Sequence, residues 1–291
     1  MLRVGEQCPS CLRMLQEGIQ PWHRVCDGCT YEGSVLAVDI DVDGHVEVVD
    51  EKMREEGLEH LRQQNFQTLT LDLARRVSPA GGGRPRLLDV GCAHGWFLEA
   101  SRAYFDGLGI EPDARIASIA VSKGLDVRRG FFPDVLDQGE TFDLIIFNDV
   151  LEHIPDIDSA LRACARHLAP GGWVVVNSPS STGALYRISR LMSSLGMPAS
   201  FDRMWQKGFP SPHVHYLDDA SMAAIARNTG LRISHIRTLP SISSRGLYAR
   251  IRTDRSVSPA KAAAIAGVLT VAGPVLSIMP ADIKVWLLQV A

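Results

Sequence analysis

Apolar residues change their spacing several times along the 291-residue chain. Residues 51 to 77 place Leu58, Leu61, Phe66, Leu69, Leu73 and Val77 at helical intervals, which predicts one amphipathic helix. SPAGGGRPR then breaks the pattern, because glycine and proline punctuate regular structure. From Arg86 onward, short apolar runs alternate with helical segments. Strands are expected at 86–90, 107–111, 125–130, 142–149 and 173–180, with helices at 95–104, 112–124 and 158–172. That alternation predicts an α/β, Rossmann-like fold: a mostly parallel sheet with helices on both faces. Ligands of such sheets sit beyond the carboxyl ends of the strands.

The first fifty residues follow another rule. Cys8, Cys11, Cys26 and Cys29 form two C-x-x-C knuckles. Each knuckle offers two sulfurs on a tight turn, and two knuckles complete a tetrahedron around zinc. His23 and His45 are spare ligands. SVLAVDIDVDGHVEVVD alternates like two short strands around Asp43-Gly44, a hairpin signal. Residues 1–49 therefore read as a small zinc ribbon with a structural ion. Residues 50–85 read as a linker helix and loop, and 86–291 as the main domain.

Composition narrows the function. The formal net charge of −3 argues against a chain whose main work is gripping phosphate backbone. The beginning of the sequence has no apolar signal core, so a cytoplasmic location is expected. Residues 262–281 carry no charge, enough to span a bilayer by length alone. Pro274, Pro280 and the apolar strand pattern directly after them argue for a helix or helical hairpin packed on the domain, within 255–281. Ser258-Pro259 makes its start. The alternative is an apolar face in peripheral contact with the inner face of a membrane.

The turn after the first main strand reads Gly91-Cys92-Ala93-His94-Gly95-Trp96. It departs from G-x-G-x-x-G at its second and third glycines, so a diphosphate is poorly supported. Glu111 ends the next strand, where a carboxylate can accept from both hydroxyls of a ribose. A ribose clamp beside a narrow backbone turn, without a diphosphate cradle, fits S-adenosylmethionine. LLDVGCAHG, GIEPD, FDLIIFNDVLEHIPD and LAPGGWVVVNSPS, in this order, resemble the four motifs of class I S-adenosylmethionine-dependent methyltransferases. The resemblance is close over 86–180 and looser to 291. It implies a seven-stranded sheet, with strands six and seven at 230–240 and 282–291 and the seventh antiparallel. It also implies that Asp89, Gly91 and Gly95 border the methionine moiety and that Glu111 binds the ribose. Cys92 and Pro112 belong to the same shell. The resemblance further implies Asp134 near the adenine, with Phe132 or Phe131 against the ring, and Asn148 facing the methyl end. For Asp89, bracing of the turn is the alternative role.

Methyl transfer to a hydroxyl calls for a base, commonly histidine. His153 follows strand four, and His213 and His215 lie in FPSPHVHYLDD. Alternate positions in extended chain point the same way, so His213 and His215 are expected to face one cleft, with Tyr216 as a substrate-orienting candidate. Residues 181–215 form an insertion that reads as a lid over the acceptor. The leading expectation is O-methylation of a small-molecule, glycan or lipid-linked biosynthetic intermediate. The ribbon resembles N-terminal zinc modules beside methyltransferase domains that act on sugars. The alternatives are an RNA methyltransferase whose ribbon binds substrate, and a non-catalytic scaffold on the same fold.

Overall fold

The computed structural model describes residues 6–40, 51–80, 82–241, 246–252, 257–276 and 278–291. The hairpin expected at Asp43-Gly44, the spare ligand His45 and the side chain of Leu58 lie outside the described residues. In chain order the elements are β1 (Gln16–Glu17), β2 (His23–Val25), β3 (Glu32–Ser34), α1 (Glu51–Ala74), β4 (Arg86–Val90) and α2 (Trp96–Ser101). There follow β5 (Asp106–Glu111), α3 (Ala114–Ser122), β6 (Asp126–Arg129), β7 (Phe142–Asn148), a 3-10 turn at Leu151–His153, α4 (Ile157–His167) and β8 (Leu168–Pro179). The chain continues through α5 (Ala184–Ser194), α6 (Ala199–Met204), β9 (His215–Tyr216), α7 (Asp219–Asn228), β10 (Leu231–Leu239), α8 (Leu247–Arg252), α9 (Pro259–Leu276) and β11 (Ile283–Val290).

Seven strands form the main sheet in the order β10-β11-β8-β7-β4-β5-β6. β4, β5, β6, β7 and β8 pair in parallel, and β11 runs antiparallel to both of its neighbours. The expected Rossmann-like sheet with an antiparallel seventh strand is thus present. Alternation along the strands splits the core into two layers. Leu88, Val90, Ile145, Phe147, Val174, Val176 and Trp286 pack on one face with α4 and α7. Leu87, Leu144, Ile146, Val175 and Val285 pack on the other with Phe66, Leu69, Leu73 and Val77, the apolar row read from the sequence.

The boundary between the helix expected at 158–172 and the strand after it moves furthest from the sequence pattern. The helix expected to reach residue 172 stops at His167, and pairing begins at once with Leu168 opposite Phe142. Pro170 disfavours helix at the residue before it, and a register irregularity between Phe142 and Leu144 absorbs the turn that follows.

The ribbon strands end in an unexpected partner. β3 pairs antiparallel with β9, Glu32 opposite Tyr216 and Gly33 opposite His215. The four-stranded small sheet is therefore completed by a segment more than 180 residues downstream in the chain. Cys8, Cys26 and Tyr31 share the core layer of α4 and α7. Asn228 at the end of α7 donates to the carbonyls of Pro9 and Ser10. Residues 181–215, expected as a lid, put Phe201 and Trp205 against Trp22 of the ribbon. Among the described residues no helix is long and apolar enough to cross a membrane. α9 begins at Pro259 as expected and lays Ala262 against Leu247 and Ile251 of α8.

Candidate active site and metal centre

The glycine turn after β4 is tight by necessity. Gly91 (φ 69°) and Gly95 (φ 78°) are both left-handed, as is Ala93 between them (φ 46°). A Cβ on Gly91 would lie 2.7 Å from Cγ2 of Val150, so a side chain there would strain both backbone and packing. Cys92 turns inward against Gly109, where an added Cβ would meet its sulfur at 2.5 Å. Burial pushes its thiol pKa up, and it is among the residues that line the cleft.

Glu111 at the tip of β5 holds this turn from the side. Its Oε2 accepts the amide of Ala93 at 3.0 Å, and its Oε1 accepts the amide of Asp113 at 3.0 Å. Pro112 is half-buried between Glu111 and Asp113, the N-cap of α3. Asp89, 1% exposed, lies inside the turn. Its Oδ1 accepts from Nδ2 of Asn148 at 3.4 Å, and Asn148 Oδ1 accepts from Asn177 at 3.4 Å. Burial first, and then the negative charge of Glu111, push the Asp89 carboxyl up to about 8, against the opposing pull of the Asn148 amide.

The cleft at these strand ends is lined by Asp89, Gly91, Ala93, Asn148, Trp96 and Arg62, among others. Phe132 packs edge-on against Phe147, while Phe131 and Asp134 are exposed in the turn after β6. The sequence reading missed Arg62, Phe66 and Trp96. Arg62 comes from α1, pairs with Asp149 at 3.3 Å and stands 5.9 Å from the Trp96 ring centre. The available signal was a charged residue on the apolar side of that helix, one place after Leu61 and four before Phe66.

Beyond Asp149, the 3-10 turn carries Glu152 and His153. Ring centroids of His153 and His213 are 4.7 Å apart. A carboxyl oxygen of Glu152 and one ring nitrogen from each histidine all lie within 4.8 Å of one another. His153 Nδ1 is 3.0 Å from the carbonyl oxygen of Pro212 and donates to it, which leaves the lone pair of a neutral ring on Nε2. His213 Nε2 is 2.8 Å from the Gln206 side-chain amide nitrogen. Burial first, and then the Asp149 charge, hold the Glu152 carboxyl well above the ordinary range.

His215 does not join this pair. Its Nε2 donates to the carbonyl of Ile154 at 2.9 Å, and its Nδ1 takes the Tyr31 hydroxyl at 2.5 Å. Burial holds its pKa down to about 4. The expected common direction of His213 and His215 fails because only His215 lies in a strand; His213 precedes β9 in irregular backbone. His215 is therefore corrected from base candidate to buried bridge. Tyr216 is also buried, stacked on Tyr186 and donating to the Met204 carbonyl.

The four ribbon cysteines converge. Cys8 and Cys29 sulfurs are 3.5 Å apart, Cys11 and Cys26 sulfurs 3.3 Å, and all four lie within 4.8 Å of one another. Sulfurs at about 2.3 Å from a tetrahedral zinc would be about 3.8 Å apart, so the donor set and its spacing fit that ion. His23 is not part of it: its Nδ1 accepts the Ile19 amide and its Nε2 meets Glu32 at 2.9 Å.

The chain is similar in sequence and in fold to known proteins. A family model described as "Methyltransferase domain" matches residues 58–236, more than half of the chain. The ubiquinone biosynthesis O-methyltransferase of Bordetella avium (strain 197N) is 30% identical over 177 residues, covering 58% of this chain and 70% of that protein. Its namesake from Xanthomonas axonopodis pv. citri (strain 306) is 28% identical over 172 residues, covering 56% and 68%. Among solved structures, a SAM-dependent methyltransferase of Thermotoga maritima superposes with a TM-score of 0.52 at 15% identity, over 83% of this chain and 94% of that one. The cyclopropane synthase MmaA2 of Mycobacterium tuberculosis gives 0.52 at 19%, over 76% and 83%. At such identities these two likenesses speak for the fold alone. With its family match, its strand order and its glycine turn, the chain belongs to the methyltransferase-domain family as a class I S-adenosylmethionine-dependent methyltransferase.

Proposed function

We propose that the chain O-methylates a small molecule bearing an ionisable hydroxyl, of the phenolic kind, with His153 as the base and His213 beside it. The observation that carries the reading is the His153 ring. Its Nδ1–H is held by the Pro212 carbonyl at 3.0 Å, which sets its tautomer, and its ring stands 4.7 Å from that of His213. Two relatives named ubiquinone biosynthesis O-methyltransferase support an oxygen acceptor. Bound S-adenosylmethionine supplies an electrophilic methyl group. The residues of this chain hold it and align the acceptor: Glu111 for the ribose hydroxyls, and Asp89 and the Gly91–Gly95 turn for the amino-acid end. Arg62 covers the cleft from α1. His153 takes the hydroxyl proton as the oxygen attacks, and alignment with exclusion of water contributes the rest.

The four cysteines, in this reading, hold one structural zinc ion. Peripheral contact with a membrane, which a lipid-linked acceptor would call for, is supported by Val268, Val271 and Ile278, apolar residues exposed on and just after α9. Flotation with phospholipid vesicles tests that part.

The test of the function is transfer of labelled methyl from S-adenosylmethionine to a set of phenols and catechols, to extracted glycolipids and to total RNA. Label on a phenolic oxygen, lost in His153→Asn, is the expected outcome. Label on RNA alone overturns the small-molecule reading, and tight cofactor binding with no transfer to any acceptor favours a scaffold.

A further inference from the structure

Hydrogen bonds tie the segment that follows the second cysteine knuckle to the backbone beside the histidine pair. Tyr31 lies two residues after Cys29 and is 1% exposed. Its hydroxyl donates to Nδ1 of His215, whose Nε2–H donates to the carbonyl of Ile154, the residue after His153. The direction is fixed: a carbonyl only accepts, so Nε2 carries the proton and the phenol must donate to Nδ1. A second line runs through the backbone. The Ser34 amide donates to the Val214 carbonyl at 3.1 Å, and the Val214 amide donates to the Glu152 carbonyl at 2.8 Å. The Ser34 hydroxyl adds a bond to the His213 carbonyl at 3.0 Å. Gly33 leaves room for the strut, since a Cβ there would stand 2.7 Å from the Tyr31 hydroxyl.

We propose that Tyr31 and His215 are positioning residues that tie the four-cysteine unit to the 3-10 turn, so that the ribbon forms the back wall of the acceptor pocket. The inference rests on the reading of His153 and His213 as the acceptor side. It gives the ribbon a task different from gripping a macromolecular substrate. From behind that pocket, the ribbon strands set where two side chains of the main domain stand.

The test uses the metal-loaded full chain, and its main readouts need no acceptor. Tyr31→Phe removes only the phenolic oxygen, and a neutral hydrogen bond is worth about 1 kcal/mol, which is roughly a fivefold change in an equilibrium. Hydrogen exchange at Ile154, Val214 and Ser34 should quicken about fivefold or more. The His153 ring, followed by NMR on histidine-labelled protein, should titrate at a displaced pH. Metal content and the dissociation constant for S-adenosylmethionine should stay within twofold of the parent. Removing the metal with a chelator should disturb the same amides and the same ring. Unchanged exchange and an unchanged His153 titration in Tyr31→Phe overturn the proposal, whatever happens to the melting temperature. Metal loss that leaves residues 151–154 untouched overturns it as well. Should His153→Asn keep full methyl transfer while Tyr31→Phe still disturbs the turn, the base assignment fails and the strut stands.

Discussion

Glu111 Oε2 accepts the backbone amide of Ala93 at 3.0 Å, so the tip of β5 is fastened to the glycine turn after β4. One carboxylate thus shapes the turn and, in the proposed function, holds the ribose. Replacing it therefore has two consequences. Glu111→Ala should raise the dissociation constant for S-adenosylmethionine at least a hundredfold, because each hydrogen bond to a charged group contributes about 1.5–3 kcal/mol. It should also lower the melting temperature, since two backbone amides lose their acceptor. Glu111→Gln retains one oxygen acceptor and should fall between the two. Calorimetric titration checks the order; equal affinity in all three proteins would remove Glu111 from the ribose.

Asp89 brings a proton into the same cleft. With its pKa pushed up to about 8 by burial and by the Glu111 charge, it is protonated in most molecules at pH 7. If its partner is the ammonium of the cofactor's amino-acid end, binding must drive that proton off. The affinity should then rise as pH increases from 6 to 8 and level above it. Titrations at pH 7 in two buffers of different ionisation enthalpy should show release of a substantial fraction of one proton. Asp89→Asn should bind more weakly and release none. A pH-independent affinity in the parent would instead leave Asp89 as a brace of the turn.

His215 predicts the acid side of stability. Its folded pKa of about 4 lies below the ordinary value near 6.5, chiefly through burial, with His153 pressing in the same direction and Asp156 opposing. Between those values the unfolded chain binds more protons than the folded one, so unfolding free energy rises with pH across that window. On acidification from 6.5 to 4, the protein should lose stability, by about 2–3 kcal/mol as an upper figure. Denaturant midpoints across this range check it. His215→Gln starts lower but should show a flatter slope; an equally steep slope would assign the loss to other groups.

The part of the fold that repeats a local rule was readable in the sequence. Val174, Val175 and Val176 announce a strand buried on both faces, and Leu69 and Leu73 announce a helix that covers one of them. The glycine turn and Glu111 were readable because a motif confines them to some twenty residues. Arg62 was not, because it reaches the cleft from a helix that the pattern presents only as a linker. The two partners of His215, Tyr31 and Ile154, were beyond reach for the same reason. They lie 184 and 61 residues away in sequence, and no local spacing encodes a pairing of β3 with β9. Tertiary pairing decided which of two alternating histidines stayed beside His153.

The cysteine unit offers the last prediction. Cys26 is buried in the core layer with Tyr31, and the ion proposed there would tie two knuckles together across 14 intervening residues. Structural zinc binding adds directly to folding free energy. Cys26→Ser replaces a thiolate by a hydroxyl, a poorer ligand for this ion. Metal content, measured by elemental mass spectrometry, should fall from one per chain to a small fraction. The melting temperature should fall with it, and the parent treated with a chelator should behave alike. The cofactor cleft draws on α1, β4, the glycine turn, α2 and β7, and neither of these strands belongs to the ribbon sheet. The affinity for S-adenosylmethionine should therefore stay within about threefold at a temperature where the variant remains folded, while exchange at Val214 quickens. Loss of cofactor affinity in parallel with metal would show instead that the ribbon supports the whole domain and not its acceptor side alone.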